Sequence, residues 1–426
     1  MANQNTQGGL PIRVQIAAMG GLFFIIGFCT WLNGPLISYV KLAFTLTDVE
    51  AFLVLMVFYL SYLVFALPAS AILRYTGMKR GMAVALIVMA AGSMVFGQFA
   101  TMQMFGGALS GLFILGAGLA ILQTAVNPYV SILGPIEGAA QRIAIMGICN
   151  KVGGIIAPIV FGLFVMQNVD TFAAEAAAAP PDEQAQLLSQ FAAKVHLPYL
   201  IIAGFMAATA LAIWRSPLPN LSGSPASNDA GGGAADKGIF AYPHLWFGVL
   251  ALFLYVGVEV MAGDAIGTYG NAFGLALSQT KYFTSLTLSG MLVGYVAGLI
   301  LVPRFFSQEQ YLTGSAVLGI ILATGAFVTK GYVSVGFVAA LGFANAMMWP
   351  AIFPLAIRGL GRLTEIGSAF LVMGIAGGAV LPYLFAIGKQ SMNFQLVFLL
   401  IVVPAYVIIG LFGLYSMKRR DGGEVS

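Results

Sequence analysis

The sequence predicts an all-α membrane protein of twelve transmembrane helices, arranged as two pseudo-symmetric six-helix halves. Three observations carry this. Hydrophobic residues make up 60% of the 426 positions and charged ones only 8%, which leaves too little polar surface for a water-soluble globule. Lys, Arg, Asp and Glu are absent from the runs 14–40, 51–73, 81–136, 282–303, 331–357, 366–388 and 390–417, and about 20 apolar residues suffice to cross the hydrocarbon core. A Pro-, Gly- and Ser-rich stretch, 216–238, cannot bury a core and parts the apolar runs into two sets.

The spans follow in order. Run 14–40 is the first and 51–73 the second, while 81–136 is long enough for the third and fourth. Further spans are expected near 143–167, 195–214, 240–274 and 311–329, interleaved with or followed by the remaining charge-free runs. A β-barrel would show alternating segments of about 10 residues, and the sequence has none. Residues 1–12 carry no basic region or cleavage site of a signal peptide, so the first span is expected to be retained. Residues 168–194 are polar and Ala-rich, with Pro180-Pro181-Asp182-Glu183, and are expected to form a periplasmic loop with one short surface helix. The resulting division is 1–215, a cytoplasmic linker 216–238, and 239–426.

Loop charge sets the orientation. With the first span starting inside, thirteen Lys and Arg fall on the cytoplasmic side (among them Arg74, Lys79, Arg80, Arg142, Arg358 and Lys418) and five outside: Lys41, Lys194, Lys281, Lys330 and Lys389. That bias places both termini in the cytoplasm and accounts for the net charge of +4 without a nucleic-acid partner. Cys29 and Cys149 lie inside predicted spans, where a free thiol acts as a small apolar group, so no disulfide or zinc framework is expected. No nucleophile elbow, phosphate loop or metal-ligand cluster is present, which argues against an enzyme, and no organic cofactor is implied. His196 and His244, next to Pro198 and Pro243, read as interfacial.

Three charges break the pattern. Lys151, Glu259 and Asp264 sit inside apolar stretches, and an ionisable side chain at membrane depth is costly enough to mark function.

Several motifs then resemble one family. Leu32-Asn33, Phe44-Thr45-Leu46-Thr47, Gln123-Thr124-Ala125-Val126-Asn127-Pro128-Tyr129-Val130 and Leu133-Gly134-Pro135 in the first half resemble the bacterial fucose/glucose/galactose symporters of the major facilitator superfamily. In the second half, Tyr255-Val256-Gly257-Val258-Glu259-Val260 and Gly367-Ser368-Ala369-Phe370-Leu371-Val372-Met373 with Gly377-Gly378 resemble the seventh and eleventh spans of the glucose/galactose branch. The resemblance implies the major facilitator fold, a sugar substrate and a coupling cation. Two departures stand out against the fucose branch: Gly34 follows Leu32-Asn33 where that branch has a carboxylate, and Gln123 replaces a glutamate. The glutamine is also typical of the glucose/galactose branch. Any coupling acid is therefore expected among Glu259 and Asp264.

Positions 259 and 264 lie about 140° apart on an ideal helix, and Gly257, Gly263 and Gly267 favour local unwinding there. Lys151 offsets one carboxylate. The other either carries a proton or helps hold Na⁺ near Glu259 and Asp264, and Glu259 is preferred as the coupling group because it is deeper in the apolar run and matches the glucose/galactose branch. A static Lys151–carboxylate pair is the plainer alternative.

Sugar hydroxyls call for amides and an aromatic face. Asn33, Gln123, Asn127, Asn150 and Asn345 are the amides inside apolar spans, and Trp31, Tyr255 and Trp349 the candidate platforms. Each amide has a plainer role as interhelical glue worth about 0.6–2 kcal/mol, but five of them across both halves point to one shared cavity. The expected function is uptake of a glucose- or galactose-like hexose with H⁺ or Na⁺ by a monomer in the lipid bilayer. The alternatives are an N-acetylated sugar, a proton-coupled exporter of amphipathic compounds, whose cavity would be richer in aromatics, and a membrane sensor or intramembrane enzyme, for which no polar stretch is long enough to fold alone.

Overall fold

The computed structural model describes residues 6–7, 10–133, 139–220, 238–302 and 304–421. Among them, twelve helical segments are long and apolar enough to cross a membrane: Ile12–Ala43, Asp48–Thr76, Met78–Thr101, Phe105–Val130, Arg142–Phe164, Pro181–Arg215, Pro243–Gly263, Leu277–Leu301, Gln308–Val328, Gly331–Ile357, Ile366–Gly388 and Phe394–Arg420. They are numbered here as the first to twelfth span. The 81–136 run does hold two, separated at Met102–Met104. Side chains such as Ile201, Phe205, Val293, Ile321 and Leu400 point outward and are more than half exposed, except that Leu200 and its like are less so, which suits a surface wetted by lipid rather than water.

The spans alternate in direction, so the starts of the first, fifth and seventh and the ends of the second, fourth and twelfth share one face with the chain ends, the termini face. Segment 168–194 differs from expectation. It forms two helices, Val169–Ala178 and Pro181–Ala193, because Pro180 stops the first and Pro181 opens the second, and the second runs on nearly directly into His196–Arg215. Phe172 and Phe191 stack at 4.5 Å, which covers their apolar faces. Most of the 216–238 linker, together with Gly134, Pro135 and Pro303, lies outside the described residues. Its first residues dock on the turn after the second span: Asn220 accepts from the Lys79 N–H at 3.1 Å and donates to the Thr76 carbonyl at 3.1 Å. Gly77 has φ 75°, open to glycine, and a Cβ there would come within 2.5 Å of Asn220.

Small residues let backbones approach where the first and fifth spans meet. A Cβ on Gly27 would lie 1.8 Å from the Asn150 carbonyl oxygen, and one on Gly153 would lie 2.2 Å from that of Phe24. This contact seats Lys151 beside Trp31. Gly27→Ala is expected to cost about 1–3 kcal/mol through overpacking, whereas Gly21→Ala, with nothing within 4 Å, should be neutral. Melting curves of the two purified variants compare them directly, and equal melting would refute the close-packing account.

Among the interrupted spans, the first, seventh and tenth break for a local reason. In the first, Pro35 has no N–H to give the Trp31 carbonyl, and the helix breaks at Leu32 into Ile12–Trp31 and Asn33–Ala43. The tenth breaks between Asn345 and Met348, four residues ahead of Pro350. In the seventh, the N–H groups of Asp264 and Ala265 both reach Val260 O, at 2.8 and 3.1 Å, before the chain resumes as Ile266–Asn271. The carbonyls of Ala262 and Gly263 beside this break accept from Thr287 Oγ1 at 2.7 Å and Thr284 Oγ1 at 2.8 Å of the eighth span. These two carbonyls are thus met inside the protein, as a membrane interior demands.

Candidate functional site

A cavity of about 120 Å³ lies where the two halves meet, lined by spans one, two, four, five, seven, eight, ten and eleven. One water needs about 10–15 Å³ of such space, so the cavity takes a small polyhydroxylated molecule with some of its water. Ile143 and Gly147 line it toward the termini face. Toward the opposite face it is sealed, with residues 31–40 and 255–270 buried throughout. Contacts between the halves lie on that sealed side: Lys389 pairs with Asp48 at 2.5 Å, Lys281 Nζ donates to Gly162 O at 3.1 Å and Met166 O at 2.8 Å, and Ser285 donates to Ile155 O at 2.7 Å.

Charge in the cavity is concentrated in one pair. Lys151 of the fifth span meets Glu259 Oε1 of the seventh at 3.0 Å, with side-chain exposures of 7% and 11%. The ammonium also stands 4.6 Å over the Trp31 ring, a cation–π contact that helps hold it in place of water. Tyr255 lines the wall one turn before Glu259. Gln123 donates to the Tyr62 hydroxyl at 2.9 Å, Tyr62 stacks on Tyr59 at 6.4 Å, and the Tyr59 hydroxyl donates to Asp264 Oδ2 at 3.2 Å.

Of the residues expected from sequence, Trp31, Gln123, Asn127, Asn150, Lys151, Tyr255, Glu259 and Trp349 all line this cavity. Three do not. Asn33 turns back along its own chain, donating to the Thr30 carbonyl at 3.0 Å, which covers a group left bare at the helix break. Asn345 is fully buried in the second half, where its Oδ1 accepts from Tyr406 at 2.7 Å. Asp264 lies behind the wall, fully buried, reached from the cavity only through Tyr59. Asn150 lines the cavity but donates to the Phe23 carbonyl at 3.4 Å, so part of its capacity is structural. Trp349 stacks on Phe353 at 5.7 Å and offers the cavity an edge of that stack.

The pairing distinguishes the two acids. Lys151 takes Glu259, so the carboxylate left without a cation is Asp264. Among the described residues no three metal-ligating side chains cluster. Sequence reading passed over Tyr59, Tyr62 and Tyr295. The first two are three residues apart on one face of the second span, with hydroxyls in an apolar run that must find partners, and that spacing was the available signal.

Comparison with known proteins agrees with this architecture. The Major Facilitator Superfamily family model matches residues 19–382. The glucose/galactose transporter of Brucella abortus is 33% identical over 403 residues, 93% of this chain and 92% of that protein. The L-fucose-proton symporter of Escherichia coli is 29% identical over 376 residues, 86% of this chain and 85% of its own. The crystal structure of the major facilitator transporter FucP in the outward conformation superposes with a TM-score of 0.74 at 27% identity, covering 95% of this chain and 99% of the other. Twelve membrane-crossing helices around a cavity shared by both halves, with a family match across most of the chain, make this protein a member of the major facilitator superfamily.

Proposed function

We propose that the protein is a secondary active transporter that takes up a glucose- or galactose-like hexose together with H⁺ by alternating access. The observation that carries this is the cavity itself: Gln123, Asn127 and Asn150, the rings of Trp31, Tyr255 and Trp349, and one Lys151–Glu259 pair converge at the junction of the halves. Amides supply paired donors and acceptors for hydroxyls, and the ring faces cover the apolar C–H surface of a sugar. Relatives named for glucose/galactose transport and for fucose-proton symport support the substrate class and the ion. The same reading gives the arrangement in the cell: a monomer of the bacterial inner membrane, both termini cytoplasmic, with halves 1–215 and 239–426 rocking about the cavity and 216–238 joining them. The sealed face then looks outward and the cavity opens to the cytoplasm.

Uptake of a panel of labelled hexoses and N-acetylated hexoses into proteoliposomes, under imposed ΔpH or ΔNa⁺, tests sugar and ion together. Accumulation of a glucose-like sugar under ΔpH alone is expected; accumulation under ΔNa⁺ alone, or none, refutes the proposal. Within it, Gln123→Ala should weaken sugar binding by about 1–3 kcal/mol, the cost of a buried polar group left unpaired. Titration of sugar binding to the purified variant measures this, and unchanged affinity removes Gln123 from the binding site.

A further inference from the structure

We propose that Asp264 carries the coupled proton and acts as the latch of the sealed face, which can stay shut only while this acid is uncharged. The inference rests on the symport reading for its transport arm alone. Asp264 is 0% exposed, and its Oδ1 has no hydrogen-bond partner among the described residues. Its Oδ2 receives the Tyr59 hydroxyl at 3.2 Å, a contact that crosses from the second half to the first. On the far side, a Cβ on Gly34 would stand 3.3 Å from Oδ1, so the carboxyl lies directly against the broken first span.

The groups that face it can be named. Tyr59 is the one titratable side chain in contact, from the second span. Glu259, on its own span, is held by Lys151 of the fifth, so that cation is already spent. From the first and eighth spans, Gly34, Trp31 and Thr284 pack at this break, and Thr284 gives its hydrogen to Gly263 O. The Tyr59 hydroxyl and the Gly34 backbone, with Lys151 engaged by Glu259 and no cation in contact, are poor compensation for a buried carboxylate, whereas the protonated acid needs little. The surroundings thus suit the neutral form.

Alternating access turns this into coupling. When the sealed face parts, span one separates from span seven and Asp264 meets water, where it ionises. Taking a proton from that side neutralises it and allows the face to close again. Tyr59 lines the cavity as well as touching Asp264, so once the hydroxyl turns its own hydrogen to cavity water it can accept the acid's O–H, and handing on the one hydrogen while taking the other carries the proton out. The charge left behind destabilises the closed contact and drives the empty carrier back. One proton enters from one side and leaves on the other, and none is consumed.

Two measurements on the full chain test this. The first needs no change at Asp264. Ser38, buried on the sealed face, is replaced by Cys in a chain whose Cys29 and Cys149 are Ala, its alkylation is followed against pH, and every labelling rate is divided by that of the same thiol in the denatured chain at the same pH, so that thiolate ionisation cancels. The rate should climb with pH by up to about tenfold per unit, the limit for one proton; a flat profile overturns the proposal. The second is Asp264→Asn, which mimics the protonated acid. Its labelling should be slow at every pH, and its liposomes should exchange sugar yet lose all accumulation under ΔpH. Accumulation equal to wild type, or labelling that still rises with pH, overturns the proposal. Failure of the sugar reading shows itself separately, as absence of any hexose uptake by the unaltered protein, and leaves the labelling test intact.

Discussion

Lys151→Met should lower stability by about 3 kcal/mol, and a second change, Glu259→Gln, should restore most of it. Breaking a buried ion pair from one side costs about 3–5 kcal/mol, because the remaining charge stays buried without compensation. The lower end applies here: Glu259 keeps 11% of its side chain open to cavity water, which softens the loss. The cation–π contact of Lys151 with Trp31 vanishes too, but replacing ammonium by an apolar chain of similar length keeps the packing against the ring. The double variant has no charge at the site, so only a neutral amide remains to be satisfied. Thermal melting of the wild type, both single variants and the double forms a closed cycle. Strictly additive losses would show that the two residues do not interact. The same cycle separates stability from transport, since the double variant can fold well and still lack the charged pair facing the substrate.

The twelve spans were legible because charge is so scarce: a run such as 366–388 without Lys, Arg, Asp or Glu has few folds other than a membrane-crossing helix. The cavity was legible in part, for a related reason. Amides, rings and charges inside apolar runs stand out, and eight of those singled out do meet around one space. Asn33 and Asn345 stood out equally but serve the backbone of a broken helix and a Tyr406 hydroxyl. Composition cannot tell these uses apart, because the same amide serves each of them; only the neighbours decide. Which of Glu259 and Asp264 Lys151 pairs with was hidden for the same reason. Depth in an apolar run favoured Glu259, whereas the deciding fact, which acid Lys151 reaches, depends on how the fifth span packs on the seventh. Tyr59 and Tyr62 were missed because tyrosine is common among buried membrane residues, and their hydroxyls gain meaning only beside Asp264 and Gln123.

Lys281→Met should shift the carrier toward the state in which the sealed face is open. Lys281 is buried at the start of the eighth span, and its ammonium donates to Gly162 O in the last turn of the fifth at 3.1 Å and to Met166 O just past its end at 2.8 Å. A cation at a helix C-terminus answers both unpaired carbonyls and the negative end of the helix dipole. This lysine belongs to the second half and the helix to the first, so the bonds exist only while the face is shut. Hydrogen bonds to a charged group contribute about 1.5–3 kcal/mol each. Losing both, with some return from water that enters, should move the equilibrium by about 3 kcal/mol, or roughly a hundredfold. The Lys389–Asp48 pair on the same face is a weaker restraint, since Asp48 is partly exposed and also bound by Lys41 at 2.6 Å. Alkylation of a cysteine at Ser38, compared with and without Lys281→Met at one pH, measures the shift. A rate within a factor of about two of the parent, far below the hundredfold expected, would mean that the two carbonyl bonds do not hold the face closed.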